Sequence, residues 1–438
     1  MTTPSPVTRR SFLKRAALGA GAALAGPTLV RDTALGAGDR PAPSNRHVAC
    51  AIGTGGMGRG DIRGLLGNKE VQFVAICDVD TAQQQRAKQM IDDQYGTGDC
   101  ATYVDFRELL ARRDLDIGCL ALPDHWHAIP TIEAARCGLD MYGQKPLARS
   151  IREGRAMCDA VHRYGRVWQT GSWQRSVANF HHGAQLVRNG RIGKVKYVEV
   201  GLPNGGSRGP AQAADPPAGL DWDRWLGPAP WRPYCHFQGT SIHFHWRWIM
   251  DYSGGQLTDW AGHHIDIAHW GLGLDSTGPV TIEGKAVYPD DGLFNTAMAY
   301  KFTCTYADGL TMVVANASQQ PHGMGACWYG ENGKWIWVTR GKIEASDPNI
   351  LKEEIGPDEI HLYESRNHYA NFLDCVKSRK QTITPIETAH RSISVGLLGE
   401  IAMLTGRKIT WDPKKETILN DPGASALLGR SYREPWHL

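Results

Sequence analysis

Apolar and polar residues follow two different patterns along the chain. Up to about residue 146, apolar runs such as HVACAI, VQFVAIC and DIGCLALP are separated by helical patterns at 81–95, 104–113 and 127–138. Repeated strand–helix units of this kind predict a parallel sheet with helices on both faces.

The second half of the chain carries a different signal. Residues 201–219 are rich in Gly and Pro and predict a long loop. Helical patterns cover 369–379 and 387–405, and the segment REPWHL is expected to lie over either a neighbouring subunit or its own chain. Five further apolar runs, several of them alternating as in a half-exposed sheet, are KVKYVEVGL, VTIEGKAVY, NTAMAYKFTCTY, LTMVVANAS and KWIWVTR.

The first residues resemble a targeting segment. TRRSFLKRAALGAGAALAGPTLV combines the pair Arg9 and Arg10 with Phe-Leu-Lys and a mild apolar run, the order of a twin-arginine export signal. The run is too short and too rich in glycine to anchor the chain in a bilayer, so no membrane anchor is expected in the mature form. We therefore expect residues 1–44 to be signal and linker, and the protein to be periplasmic or otherwise exported.

Composition narrows the class of partner. The 438 residues suffice for two domains, and the formal charge of +3 is spread along the chain without basic runs. Nucleic acid is therefore not an expected partner. Many of the 15 tryptophans and 17 histidines fall between 222 and 270, which suits a sugar or polyol ligand, with a Trp-rich core as the alternative.

A dinucleotide-binding motif follows the first predicted strand. Gly53, Gly55 and Gly58 have the spacing that permits a tight turn, close approach to a pyrophosphate and close helix packing, and Gly56 and Met57 complete the loop. The second strand ends in Asp78, 20 residues after Gly58, where a carboxylate can bind an adenosine ribose. This acid favours NAD over NADP. Asp80 is the rival acid, with a helix cap as its alternative role.

Two more groups of polar residues stand where predicted strands end. Pro123 and His127 follow one strand, and Gln144 and Lys145 follow the next. Ligands bind outside the carboxyl ends of parallel strands, so these four residues are expected beside the nicotinamide half of the cofactor. For His127 a hydrogen bond to the backbone is an equal alternative.

These motifs together resemble the glucose-fructose oxidoreductase, inositol dehydrogenase and rhizopine catabolism (Gfo/Idh/MocA) family over about residues 46–410. The resemblance implies an α/β Rossmann domain at 45–168, followed at 169–438 by an α+β domain with a large, mostly antiparallel open sheet. That sheet is expected to carry the substrate site and a homo-oligomer interface. The family's Glu-Lys-Pro is Gln144-Lys145-Pro146 here, so the acid is missing.

The resemblance also extends to a second catalytic segment. Asp259 and His263 are four positions apart, on one face of a predicted helix, and match the family's Asp-x-x-x-His pair. We expect His263 to take a hydroxyl proton, Asp259 to orient the site and Lys145 to stabilise the developing alkoxide. Exchanged roles for Lys145 and His263, and a plain polar helix face with Asp259 paired to Lys or Arg, remain open.

Substrate contacts are expected from five further residues. Arg175 has a structural salt bridge as its alternative role. His-x-His at 243–245, with His263 and His264, suggests a metal, but no acid or cysteine has ligand spacing with them, so no metal is expected. The five residues are Trp173, Arg175, Trp248, Tyr252 and His264.

Export bears on function, because a soluble nicotinamide pool is not expected outside the cytoplasm. We predict an oxidoreductase that acts on a hydroxyl of a sugar, polyol or glycoside and recycles a tightly bound NAD. A redox-neutral NAD-dependent glycosidase, working by transient oxidation and elimination, is the alternative. A non-catalytic binding protein that retains NAD is the third possibility.

Overall fold

The computed structural model of the protein describes residues 41–42, 45–237 and 240–438. Its contacts divide the chain into Met1–Arg46 and His47–Leu438, and every element below belongs to the second unit. The predicted export signal lies outside the described residues and stays a prediction.

The first sheet has six strands, and all its neighbouring pairs are parallel. Its spatial order is β3-β2-β1-β4-β5-β6, so the direction of winding reverses between β1 and β4, the place where such sheets bind ligands. This confirms the predicted Rossmann architecture. The predicted boundary after residue 168 stays a prediction, and the last strand lies across it. The strands are β1 (His47–Ile52), β2 (Val71–Cys77), β3 (Ala101–Tyr103), β4 (Ile117–Leu120), β5 (Asp140–Gly143) and β6 (Trp168–Thr170).

Helices cover this sheet, and side-chain caps fix where several of them begin. Asp80 accepts a hydrogen bond from the amide of Ala82, and Ser150 accepts one from the amide of Glu153. The cap is the alternative role expected for Asp80. The helices of this half are α1 (Gly56–Leu66), α2 (Thr81–Tyr95), α3 (Phe106–Leu110), α4 (Ala128–Arg136), α5 (Ile151–Arg163) and α6 (Ala178–Arg188).

The second half forms a nine-stranded sheet that is mixed but mostly antiparallel, as predicted. Its order is β16-β15-β14-β7-β13-β12-β11-β17-β18, and β7 pairs with β13 in parallel. Its strands are β7 (Tyr197–Leu202), β11 (Thr281–Val287), β12 (Ala299–Thr305), β13 (Thr311–Asn316), β14 (Gly325–Tyr329), β15 (Trp335–Thr339), β16 (Lys342–Ala345), β17 (Ile409–Asp412) and β18 (Thr417–Ile418).

A small three-stranded sheet lies outside the two large ones. It joins β8 (Gln212–Ala213), β9 (Cys235–Phe237) and β10 (Thr240–Ser241). The predicted loop at 201–219 therefore contributes a short strand. Trp222, Trp225 and Tyr234 pack with Tyr252 in a separate aromatic core here, so part of the Trp-rich region is core, the alternative to a ligand surface.

The remaining helices position the second catalytic segment. A π-helical turn, Ala261–Ile265, joins α8 to α9, and the long, mostly buried α11 packs against it. A Cβ atom on Gly396 of α11 would lie 2.9 Å from the Cβ of Ala261, so the approach is close. Within the described ranges, no helix is long and apolar enough to cross a membrane. These helices are α7 (Trp222–Leu226), α8 (Gly255–Trp260), α9 (Asp266–Leu272), α10 (His368–Ser378), α11 (Ile386–Thr405) and α12 (Pro422–Ala426).

Candidate active site

A cavity of about 800 Å³ runs from the glycine loop to the segment 243–248. It opens at the carboxyl ends of the parallel strands, where the sequence places the cofactor. The predicted residues that line it are Gly53, Gly55, Gly56, Met57, Gly58, Asp78, Pro123, Gln144, Lys145 and Trp248.

The glycine loop has the shape that a pyrophosphate requires. A Cβ atom would lie 2.2 Å from the Ala121 carbonyl oxygen if placed on Gly53, and 2.1 Å from the Gly53 oxygen if placed on Gly58. Both positions therefore exclude side chains. A Cβ atom placed on Gly55 or Gly56 would meet no atom within 4 Å, so the loop leaves an open cradle at the N-terminus of α1. These residues fit a dinucleotide.

Asp78 is held in place by its own chain. Its Oδ2 accepts hydrogen bonds from the amide and hydroxyl of Thr54, and its Oδ1 accepts one from the amide of Asp80. Burial raises the pKa of Asp78, against those hydrogen bonds. Arg59 and Arg86 line the same part of the cavity. Since groups of both signs face the expected ribose, the preference for NAD stays a prediction.

Lys145 lines the other end of the cavity and pairs with Asp259, which, like His263, is not among the lining residues. The Lys145 ammonium is 2.6 Å from Oδ1 of Asp259, and Nε of Arg247 is 3.2 Å from the same oxygen. Burial acts to raise the pKa of Asp259, but Lys145 and Arg247 together hold it below its usual value. The carboxylate is therefore ionised at neutral pH. The loop of Lys145 lies against the π-helical turn, since a Cβ on Gly262 would be 3.3 Å from the Lys145 Cβ.

His263 is buried beside this ion pair. Burial, with Lys145 and Arg340 nearby, lowers its pKa well below the ordinary value, so the ring is uncharged at neutral pH. Its Nδ1 has no hydrogen-bond partner in the described part of the chain. The expected pairing with Asp259 is not formed. The π-helical turn begins between the two residues, and the carboxylate is held instead by the two cations.

Gln144, which replaces the family's acid, is bonded to another acid. Its amide donates to Oδ2 of Asp61 at 2.8 Å, and the hydroxyl of Tyr369 donates to Oδ1 at 2.9 Å. Burial raises the pKa of Asp61 to about 6, against the hydrogen bonds from these two groups. A carboxyl group is thus present behind the lysine loop, but α1 carries it.

His127 is not among the residues that line the cavity, and both of its ring nitrogens lie close to backbone carbonyl oxygens. Its Nδ1 lies 2.7 Å from the carbonyl oxygen of Pro146, and its Nε2 lies 2.7 Å from that of Leu122. The ring thereby joins two strand-end loops through their backbone. This is the alternative role that the sequence left open.

Three of the five expected substrate residues belong to the interior. Arg175 is only 2% exposed and forms paired hydrogen bonds with both Asp266 and Asp275. Tyr252 is fully buried against His125 and Trp225. These contacts make Arg175 a structural salt bridge and Tyr252 a core residue.

His264 is the third. It is fully buried, stacks on Trp260 and leaves both ring nitrogens without a partner in the described ranges. Burial lowers its pKa to about 3. Adjacent residues in a helical turn face different ways, so His263 and His264 cannot both face the site.

Trp173 and Trp248 remain accessible, and the structure adds residues that the sequence did not single out. The guanidinium of Arg340 lies 4.7 Å from the ring centre of Trp173 and 4.4 Å from that of Trp260. His263 is next to both rings, with centroids 6.4 and 5.2 Å away. Arg340 sits in the turn between β15 and β16, and no sequence signal links a hairpin arginine to this site.

The histidines considered as metal ligands do not form a ligand set. His243 and His245 line the cavity, and Nδ1 of His243 is 3.1 Å from the hydroxyl of Tyr234. Among the described residues, no group of three or more His, Cys, Asp or Glu is arranged to hold a metal ion.

Relatives share parts of this chain. Over 337 residues it is 25% identical to the uncharacterized oxidoreductase YrbE of Bacillus subtilis, covering 75% of this chain and 82% of the relative. It is 29% identical to a 2,7-anhydro-N-acetylneuraminate hydratase of Mediterraneibacter gnavus, over 33% of this chain and 37% of that protein. A glycosyl hydrolase family 109 protein of Shewanella woodyi is 31% identical over 26% of this chain and 25% of its own. The hydratase and the hydrolase are thus matched over well under two thirds of their lengths.

Solved structures show the same fold. The WlbA dehydrogenase from Bordetella pertussis, solved with NADH and UDP-GlcNAcA, superposes with a TM-score of 0.62 at 15% identity, covering 84% of this chain and 99% of the other. Residues 49–172 match the NAD-binding Rossmann domain of the Gfo/Idh/MocA oxidoreductases, and residues 204–438 match the family's C-terminal alpha/beta domain. The chain therefore belongs to the Gfo/Idh/MocA oxidoreductase family.

Proposed function

We propose that this protein is an oxidoreductase that acts on a hydroxyl group of a sugar, polyol or glycoside and retains its nicotinamide dinucleotide between cycles. The Lys145–Asp259 ion pair carries the proposal, because Lys145 lines the glycine-lined cavity, Asp259 holds it from behind, and the uncharged ring of His263 is buried beside the pair. Perturbed titratable groups in a cleft are typical of catalytic sites.

The cavity suits the cofactor at both ends. Gly55 and Gly56 would bind the pyrophosphate, Asp78 a ribose, and Gln144 and Lys145 would border the nicotinamide. When bound there, the nicotinamide supplies an acceptor for the hydride that leaves the carbon bearing the hydroxyl. We propose NAD as the resident form, because Asp78 would repel a ribose phosphate.

The side chains supply proton transfer and charge. His263 can accept the hydroxyl proton because its lowered pKa leaves it unprotonated at neutral pH. The Lys145 ammonium donates to the oxygen as negative charge develops on it. Asp259 orients the site by positioning Lys145, and it leaves the imidazole free.

Retention of the cofactor follows from the proposed export. If the twin-arginine motif acts as a signal, the protein leaves the cytoplasm folded, and a nucleotide released outside would not be replaced. All ten cysteines are free thiols, and nine of them are buried, with Cys137 exposed. A fold completed before export would protect such thiols from oxidation.

A redox-neutral glycosidase is the second candidate, and the similarity to a glycosyl hydrolase family 109 protein and to a hydratase supports it. That route needs an additional base near the carbon whose C–H bond becomes acidic. A tyrosine or histidine such as Tyr252 or His264 could serve, but Tyr252 is packed in the aromatic core and His264 is fully buried against Trp260. The oxidoreductase is therefore preferred.

We also propose a homo-oligomer formed through the nine-stranded sheet. From Glu283 onward, exposed residues of β11 alternate with partly buried ones, and Val287 at its end is 57% exposed. Light scattering of the purified protein tests this, and a monomer at micromolar concentration would contradict it.

The first experiment is to purify the exported protein and extract it with acid. Near-UV absorbance and chromatography of the extract show whether a nicotinamide dinucleotide remains bound, and in which form. A protein that exchanges nucleotide freely would contradict retention, and one that retains it without any chemistry would be the NAD-containing binding protein.

The second experiment separates the two chemistries. Free sugars and polyols that reduce the bound nucleotide, followed by reoxidation with a carbonyl compound, support the oxidoreductase. Release of the aglycone from aryl glycosides, without net change in the bound nucleotide, supports the glycosidase.

A further inference from the structure

The segment 430–438 forms part of the wall of the cofactor cavity. Trp436 lines the cavity together with Phe106 and Trp126, which lie just after β3 and β4. The sequence left open whether REPWHL covers a neighbouring subunit or its own chain. The structure places it on its own chain, across the carboxyl ends of the parallel strands.

A buried acid holds the start of this segment. Glu153, in the first turn of α5, is only 1% exposed, and its Oε1 accepts hydrogen bonds from Nε of Arg430 and the hydroxyl of Tyr432 at 2.7 and 2.6 Å. The guanidinium of Arg430 also donates to the carbonyl oxygen of His125 at 2.6 Å. Charge-assisted bonds to a buried acid are among the stronger ones in proteins.

A second attachment lies three residues further on. Arg433 donates to the carbonyl oxygen of Gly227 at 3.0 Å and to the side chain of Asp223 at 2.5 Å. Both acceptors belong to α7 or its end. The backbone on the approach to Trp436 is therefore fixed on two sides before the indole reaches the cavity.

The indole itself rests on aromatic rings. Its centroid is 4.8 Å from that of Trp126 in an edge arrangement and 6.2 Å from that of Phe106 in a stacked one. The guanidinium of Arg107 lies 5.0 Å from the same ring. A flat aromatic wall beside a glycine-rich phosphate cradle is suited to a planar heterocyclic base.

We propose that residues 430–438 complete the dinucleotide site and that Trp436 covers a base of the cofactor and slows its release. The inference rests on the proposed function only in requiring that the cavity bind a nicotinamide dinucleotide. It assigns a residue to the retention of the cofactor, which the glycine loop alone would not provide. The segment is thus a positioning and retaining element and takes no part in hydride or proton transfer.

The test measures how fast nucleotide leaves the full-length loaded protein. Trp436→Ala is compared with the wild type by loading each with NAD, diluting into an excess of competing nucleotide and following the bound fraction. We expect release to be about tenfold faster in the variant, which corresponds to about 1.4 kcal/mol, in the range of one base-stacking contact. Trp436→Phe should recover most of the difference. Trp231→Ala, a change at a 67% exposed tryptophan outside the cavity, should leave the rate unchanged.

A second measurement separates retention from folding. A merely structural role for Trp436 would lower the melting temperature of nucleotide-free protein, whereas a covering role reduces the rise in melting temperature on adding NAD. If Trp436→Ala does not fold, removal of residues 434–438, with Arg430 and Arg433 kept, is measured in its place. A release rate within twofold of the wild type would overturn the proposal. Protein that binds NAD but acts on no sugar would contradict the proposed function alone. The ratio of release rates would still test whether Trp436 slows the release of the nucleotide.

Discussion

Two buried ion pairs on the helical segment from α8 to α9 differ in what their cations can do. Asp266 and Arg175 are both 2% exposed, and each of the three side-chain nitrogens of Arg175 donates to Asp266 or Asp275. Asp259 and Lys145 are 9% and 13% exposed and share one short contact at the cavity. A cation whose nitrogens all donate hydrogen bonds to carboxylates of its own chain stabilises the fold. A cation with donors left over beside a cavity can serve a substrate.

The largest effect is expected at the accessible pair. Lys145→Ala should lower the rate at which a sugar reduces the bound nucleotide by about 10²–10⁴-fold, because the developing charge on oxygen loses its donor. Nucleotide content should stay as in the wild type. Single-turnover absorbance measurements check this, with Lys408→Ala, a change in an exposed ion pair, as the control. Unchanged turnover would refute the site.

Breaking the Arg175–Asp266 pair should lower the stability of the fold. Arg175→Met leaves Asp266 as a buried charge without its partner, so the free energy of unfolding should fall by about 3–5 kcal/mol. Denaturant unfolding of nucleotide-free protein measures this. Arg366→Met, which removes an 89% exposed partner of Glu364, is the matched control and should change nothing measurable. A large loss of activity in folded Arg175→Met without a loss of stability would return Arg175 to the substrate site.

The same comparison shows what a sequence can predict. Gly53, Gly55, Gly58, Asp78 and Lys145 line the cavity where the sequence predicts them, because local spacing at strand ends is encoded directly in the chain pattern. Their roles stay predictions. For Arg175 the sequence left a substrate contact and a structural salt bridge equally open, because its partners lie about 90 and 100 residues away along the chain. Spacing alone does not reveal which donors are already used.

The fold followed the same rule. The run VTIEGKAVY alternates and predicted β11, whereas KWIWVTR predicted β15 as an apolar run whose centre, Ile336 to Val338, is buried. β14 was missed because Gly325 to Trp328 are all buried, which removes the alternation. The π-helical turn Ala261–Ile265 was also missed, since no residue type marks the point between Asp259 and His263 where the helix widens. Arg340 and Trp436 reach the site only through the tertiary fold.

A moderate effect is expected from restoring the family's acid. Gln144→Glu would replace a donor to Asp61 with a second carboxyl group, and one of the two must then take a proton. Burial already raises the pKa of Asp61 to about 6, and a second carboxyl group beside it would raise that pKa further, so the stabilising protonated form is present at low pH and is lost as pH rises above about 6. At neutral pH we expect a loss of about 1–3 kcal/mol in unfolding free energy, smaller at pH near 5. Urea unfolding across this range checks it, and a loss independent of pH would contradict the explanation.

The smallest effect at neutral pH is expected from a change at the buried neighbour of the site histidine. His264→Phe should keep activity, because the ring packs on Trp260 and faces no cavity, whereas His263→Ala should abolish it. The folded-state pKa of His264 is lowered to about 3, so the stability that it contributes is present above the unfolded pKa of about 6.5 and is lost as pH falls toward 3. The variant should therefore lose stability on acidification less steeply, by up to about 1.4 kcal/mol per pH unit between about pH 6 and pH 4. Urea unfolding at several pH values measures the slope. Equal slopes in wild type and variant would show that His264 titrates in the fold as it does in the unfolded chain, which would contradict its burial as an uncharged ring.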